Sequence, residues 1–63
     1  MRYPFVWRAL AEARDRTGRR LFLRDEPGGW YLFDGAHLLG RFGHPESVEA
    51  RLAILVSARS TRR

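Results

Sequence analysis

Sixty-three residues bound the chain to one small domain, which buries only about 60% of its unfolded surface and keeps a thin margin of stability. The absence of cysteine excludes a disulfide framework and a thiolate metal site, while 44% apolar residues, with two Trp, two Tyr and four Phe, exclude disorder. The net charge is +5, and all twelve basic residues are Arg, so an anionic partner is favoured over a cationic one.

The first predicted element is a helix over Pro4 to Thr17. Pro4 suits the first helical position and Gly18 the position just past the end. Val6, Leu10, Ala13 and Thr17 recur on one side at helical spacing, with Ala9 beside them. Arg8, Glu12, Asp15 and Arg16 take the other side, and Glu12 stands four residues ahead of Arg16 in the favourable orientation. Tyr3, Phe5 and Trp7 load the start of this helix with rings that either anchor it to a sheet or form a sticky patch.

Three antiparallel strands are predicted next, over about 20–24, 30–33 and 36–42. Glu26-Pro27-Gly28-Gly29 reads as the first turn. Asp34-Gly35 reads as a two-residue hairpin turn, because both residue types tolerate positive φ. Gly40 marks a candidate bulge in the third strand. A second helix follows from Pro45 to about Ala58, with Glu46 and Glu49 early and Arg59 late, as the helix dipole prefers. Val48, Leu52, Leu55 and Val56 make its apolar stripe, and Ile54 points elsewhere. Residues 60–63 are expected to form a frayed basic tail. The fold class expected is α+β: a small single domain ordered helix, three-stranded meander, helix.

A turn at Asp34-Gly35 sets Phe33 opposite Ala36, Leu32 opposite His37, Tyr31 opposite Leu38 and Trp30 opposite Leu39. A four-residue first loop sets Leu23 opposite Leu32 and Phe22 opposite Phe33. Alternation then sorts the side chains. One face carries Leu21, Leu23, Trp30, Leu32, His37, Leu39 and Arg41, and is expected to lie on the second helix. The other carries Arg20, Phe22, Arg24, Tyr31, Phe33, Leu38 and Phe42. Three fates are open to this aromatic face. The first helix covers it in a helix-sheet-helix sandwich, which is the first claim on rings in a small domain. Two copies pair across it. Or it stays an open platform where bases stack, at ~1–3 kcal/mol per base, while Arg holds phosphates.

Other chemistry finds little support. His37 and His44 have no Cys or acidic cluster to complete a metal set. Ser47, Ser57, Ser60 and Thr61 lack a base and an orienting partner. Gly28-Gly29 is followed by neither Lys-Ser/Thr nor a helix, so it is no phosphate loop. No enzyme activity, cofactor or metal is expected. Arg41, just ahead of the second helix, is a weak anion candidate with the helix N-terminus, because Glu46 opposes it. No apolar run reaches the ~20 residues of a membrane span, and the N-terminus lacks a secretory core, so a cytoplasmic, membrane-free location is expected.

The function expected is a small basic binding or regulatory protein that docks on a larger protein or nucleoprotein assembly, of the phage or mobile-element accessory type. Direct DNA or RNA binding through the Arg/aromatic face is the second expectation, and a homodimeric structural module the third. The residues expected to bind are Arg20, Phe22, Arg24, Tyr31 and Phe33, joined by Trp7, Arg41, Arg62 and Arg63.

Overall fold

A computed structural model describes residues 2–61, with side-chain surroundings as far as residue 58. Helix α1 (Pro4–Thr17) leads into strands β1 (Leu21–Glu26), β2 (Gly29–Asp34) and β3 (His37–Phe42), and helix α2 (Pro45–Thr61) closes the order. The strands form one antiparallel sheet in the order β1-β2-β3. The fold is α+β, as the pattern of elements predicts. Relative to the predicted bounds, β1 runs on to Glu26 and α2 runs on through Ser60 and Thr61. Arg62 and Arg63 lie outside the described residues.

The ends of α1 follow from local chemistry. Pro4 occupies the first turn, where its missing N–H costs nothing, and the Val6 N–H donates to the Tyr3 carbonyl at 3.0 Å. Tyr3 takes a left-handed conformation, φ 56°, and its ring is held edge-on to Trp30 with centroids 5.8 Å apart. At the far end Gly18, φ 70°, donates its N–H to the Arg14 carbonyl at 2.9 Å. The buried Thr17 hydroxyl donates to the Ala13 carbonyl at 2.7 Å and accepts the Arg19 N–H at 3.2 Å. Arg14 Nε donates to the Leu21 carbonyl at 2.7 Å, tying the helix end to β1.

Both helices lie on the same side of the sheet. Val6, Leu10 and Ala13 from α1 and Val48 and Leu52 from α2 form one buried cluster with Leu21, Leu23, Trp30 and Leu32 from the sheet. The smallest extent of the molecule is 15 Å, the thickness of one helix layer standing ~10 Å off one sheet and too thin for three layers. The expected sandwich with α1 on the aromatic face is therefore not formed. Each helix has only a narrow apolar stripe, and lying side by side lets each bury that stripe against the sheet and against the other helix at once. Tyr3, Phe5 and Trp7 anchor the start of α1: Trp7 packs on Trp30 with centroids 6.0 Å apart, and Tyr3 meets Phe5 edge-on at 6.2 Å.

The β1–β2 register pairs Phe22 with Phe33 and Leu23 with Leu32, and Pro27-Gly28 makes the turn. The β2–β3 hairpin differs from expectation. Asp34 pairs with His37, so the turn residues are Gly35 and Ala36 rather than Asp34 and Gly35. Asp34 is held in the strand by its pairing with Leu21 and an ion pair with Arg19 at 3.4 Å. Gly35, φ 63°, supplies the positive φ that a two-residue hairpin loop needs at its first position. The pairing moves by two residues, which preserves the faces: Phe33 now meets Leu38.

A bulge then reverses them. Phe33 pairs with Leu38 and Leu32 with Gly40, leaving Leu39 over. Beyond it Tyr31 pairs with Arg41 and Trp30 with Phe42. Arg41 and Phe42 thus exchange the faces that simple alternation assigns. Phe42 turns to the core side, its ring folded over Gly40, where an added Cβ would lie 3.1 Å from the ring.

Candidate functional site

The uncovered face of the sheet is built from two rows that cross all three strands. The first is Phe22, Phe33 and Leu38. The second, two positions along, is Arg24, Tyr31 and Arg41. Leu38 and Arg41 are three residues apart in the chain yet share this face, because the bulge at Leu39 absorbs one residue. Arg20 extends β1 by one position: its carbonyl accepts the Gly35 N–H at 2.9 Å, and alternation puts its side chain on the same face as Phe22.

The apolar row is exposed where a core residue would be shielded. Phe22 is 41% exposed and Leu38 47%, while Leu32 on the opposite face is fully buried. The Phe22 and Phe33 rings lie nearly parallel, 9° apart with centroids at 4.8 Å, so each covers one face of the other. Tyr31 leans over the first turn, its hydroxyl 3.6 Å from where a Cβ on Gly28 would stand. Tyr31, Phe33, Leu38 and Pro27 line a shallow depression of about 550 Å³, with Arg24 and Glu26 on its rim.

The three guanidinium groups here are not equivalent. Arg24 Nε and Nη2 both bond Glu26 Oε2, at 2.9 and 2.8 Å. Arg41 and Arg20 are exposed and make no ion pair among the described residues. The other described arginines are spread over the molecule. Arg16 pairs with Glu12 at 3.1 Å and Arg19 with Asp34. Arg2 stands over the Tyr3 ring at 5.6 Å and Arg51 over the Phe42 ring at 5.8 Å.

Of the residues picked out from sequence, Arg20, Phe22, Arg24, Tyr31, Phe33 and Arg41 come together on this one face. Trp7 does not join them. It lies on the helix side, packed on Trp30, with Nε1 donating to the Arg2 carbonyl at 3.1 Å. Arg41 arrives through the bulge rather than as part of the α2 N-terminus. Leu38 and the turn residue Pro27 belong to the face but were not among the expected binding residues. The adjacent Leu38-Leu39 pair, which breaks polar–apolar alternation just before Gly40, is the sequence signal for both the bulge and the displaced Arg41.

Two further surfaces carry less. A depression of about 300 Å³ runs between the helices, lined by Ala9, Glu12, Glu49, Leu52, Ala53 and Val56. Ile54, 61% exposed, is the one large exposed apolar side chain among the described residues of α2. Among the described residues no group of His, Asp and Glu is placed to hold a metal ion, and no helix is long and apolar enough to cross a membrane. No protein-family model, curated protein or solved structure matches the chain.

Proposed function

We propose that this protein is a non-enzymatic binding module that docks on a larger protein or nucleoprotein assembly through the open face of its sheet. Its size and basic charge suit an accessory protein of the phage or mobile-element kind. The observation that carries the reading is the uncovered row of Phe22, Phe33 and Leu38, left bare while both helices crowd the opposite side. Aromatic and Arg side chains are the commonest binding hot spots, and here they share one uncovered face.

Site-directed photocrosslinking tests this. A photoreactive residue replaces Leu38 in one variant and Arg8, on the exposed side of α1, in another. In extract from the native host, adducts to a discrete partner are expected from position 38 and not from position 8. Adducts from position 8 alone would place the docking surface on the helices and end the reading.

A further inference from the structure

Resting on the docking face argued above, we infer that its ligand is a short acidic amphipathic protein segment. Its apolar side chains sit on the Phe22–Phe33–Leu38 row, and its carboxylates meet Arg41 and Arg20. Three features select this occupant over nucleic acid and over a second copy of the chain.

The first is ring geometry. A stacked base needs a free aromatic face. Phe22 and Phe33 cover one another at 4.8 Å, and Phe33 has Leu38 as its neighbour on the other side of the row. That leaves the Tyr31 ring and the outer face of Phe22 as the only stacking surfaces among the described rings of this face. The row is suited to receive aliphatic and aromatic side chains packed from above, as an interface core does.

The second is the state of the cations. Glu26 already neutralises Arg24, so an anion of either kind gains little there. Among the described residues of this face two open guanidinium groups remain, at diagonal corners. Four residues along and two strands across set their backbones ~16 Å apart. Two phosphate contacts would give single-stranded nucleic acid a salt slope of only ~−1.4, which is weak for a binder that relies on charge. Two carboxylates at the ends of an extended segment of about five residues span the same distance. The line between the two corners passes over Phe33, which with Tyr31 and Leu38 lines the 550 Å³ depression, where an apolar anchor side chain from such a segment would seat.

The third is area. Three strands of six residues make a footprint of roughly 300 Å², well below the ~800 Å² per partner that stable protein pairs bury. A second copy would also bring together two chains each already at +5. A short linear segment needs no larger footprint, and its acidity turns the same charge into attraction.

The test is selection of a random peptide display library on the folded protein, followed by affinity measurement on the Leu38→Ser and Arg41→Glu variants. Both residues are exposed, and urea unfolding checks that each variant is folded. Enriched peptides are expected to combine Asp or Glu with Leu, Phe or Trp, and to lose at least ~10-fold in affinity on each variant. If Leu38→Ser abolishes binding but Arg41→Glu leaves it unchanged, the docking face stands and the acidic partner falls. If neither variant matters, or no peptide enriches, the face itself is wrong as a peptide site. Oligo(dT) binding with a slope steeper than ~−3, lost on Arg41→Glu, would assign the face to nucleic acid. A doubled mass in light scattering, lost on Leu38→Ser, would assign it to a second copy.

Discussion

Leu32 and Leu38 are the same residue type on opposite faces of one sheet, and truncating each to Ala measures which face is core. Leu32 is fully buried and Leu38 is 47% exposed. Leu→Ala removes roughly three carbons, each worth ~0.8 kcal/mol when fully buried. At position 38, half exposure and the absence of an enclosed cavity leave about 1 kcal/mol. At position 32 the full transfer loss of ~2.4 kcal/mol is joined by a cavity in the buried cluster that Leu32 shares with both helices, bringing the cost to ~3–5 kcal/mol. A domain of this length has a total stability of ~3–9 kcal/mol. Urea titration followed by the fluorescence of Trp7 and Trp30 reads the difference. With m near ~1 kcal/mol/M, Leu38→Ala lowers the midpoint by about 1 M, and Leu32→Ala by about 3 M or unfolds the chain outright. Equal losses at the two positions would mean that something covers the outer face, and the docking reading would go with it.

Gly29→Ala is expected to cost at least ~2 kcal/mol in the same titration, because φ 138° is closed to a side chain and the new Cβ would stand 2.8 Å from the Phe42 carbonyl oxygen. Gly18→Ala meets only the φ penalty, with open space around the Cβ, so it costs about 1 kcal/mol; Gly18→Asn costs less, since Asn accepts the left-handed region. Thr17→Val removes the acceptor for the Arg19 N–H and the donor to Ala13, an expected loss of ~1–2 kcal/mol that appears as earlier urea unfolding. Deleting Leu39 leaves Leu38, Gly40, Arg41 and Phe42 paired as they are, so the chain stays folded with a loss of ~1–2 kcal/mol. A ladder without the bulge would carry Arg41 beside Trp30 in the intact chain and move it to the outer face on that deletion, so Arg41→Glu would then be tolerated only in the deletion variant, whereas the bulged ladder tolerates it in both.

The helices and the first hairpin were legible because their signals are local. Pro4, Gly18 and the Val6–Leu10–Ala13–Thr17 spacing state α1 without reference to the rest of the chain. Pro27-Gly28 similarly sets the β1–β2 register. At the second hairpin the turn differs from expectation by one residue, because Asp34-Gly35 and Gly35-Ala36 both satisfy the turn chemistry. The tie-breakers are tertiary: the pairing of Asp34 with Leu21 and its ion pair with Arg19. The bulge was half legible, since Gly40 announces an irregularity without saying which neighbour is left over. That one residue decides whether Arg41 or Phe42 faces water. The side taken by α1 had no local signal at all. Its stripe would sit on either face of a sheet, and only packing against α2 chooses.

The open face also sets a limit on what it can do alone. Phe22 and Leu38, with the half-buried Phe33 and Tyr31, leave on the order of 250 Å² of apolar surface to be covered, or ~6 kcal/mol at ~25 cal/mol per Å². That is comparable to the cost of immobilising a partner, ~4–15 kcal/mol. Apolar contact by itself therefore gives weak and short-lived docking. Arg20 and Arg41, the described cations left open beside it, could supply the missing attraction, and the carboxylate-bearing segment proposed above would collect both contributions on so small an area. An assembly that holds such a segment close by would raise its effective concentration toward the millimolar range. A weak face then becomes occupied without any enlargement of the interface. A basic protein of this size fits that arrangement better than it fits the capture of a free ligand from dilute solution.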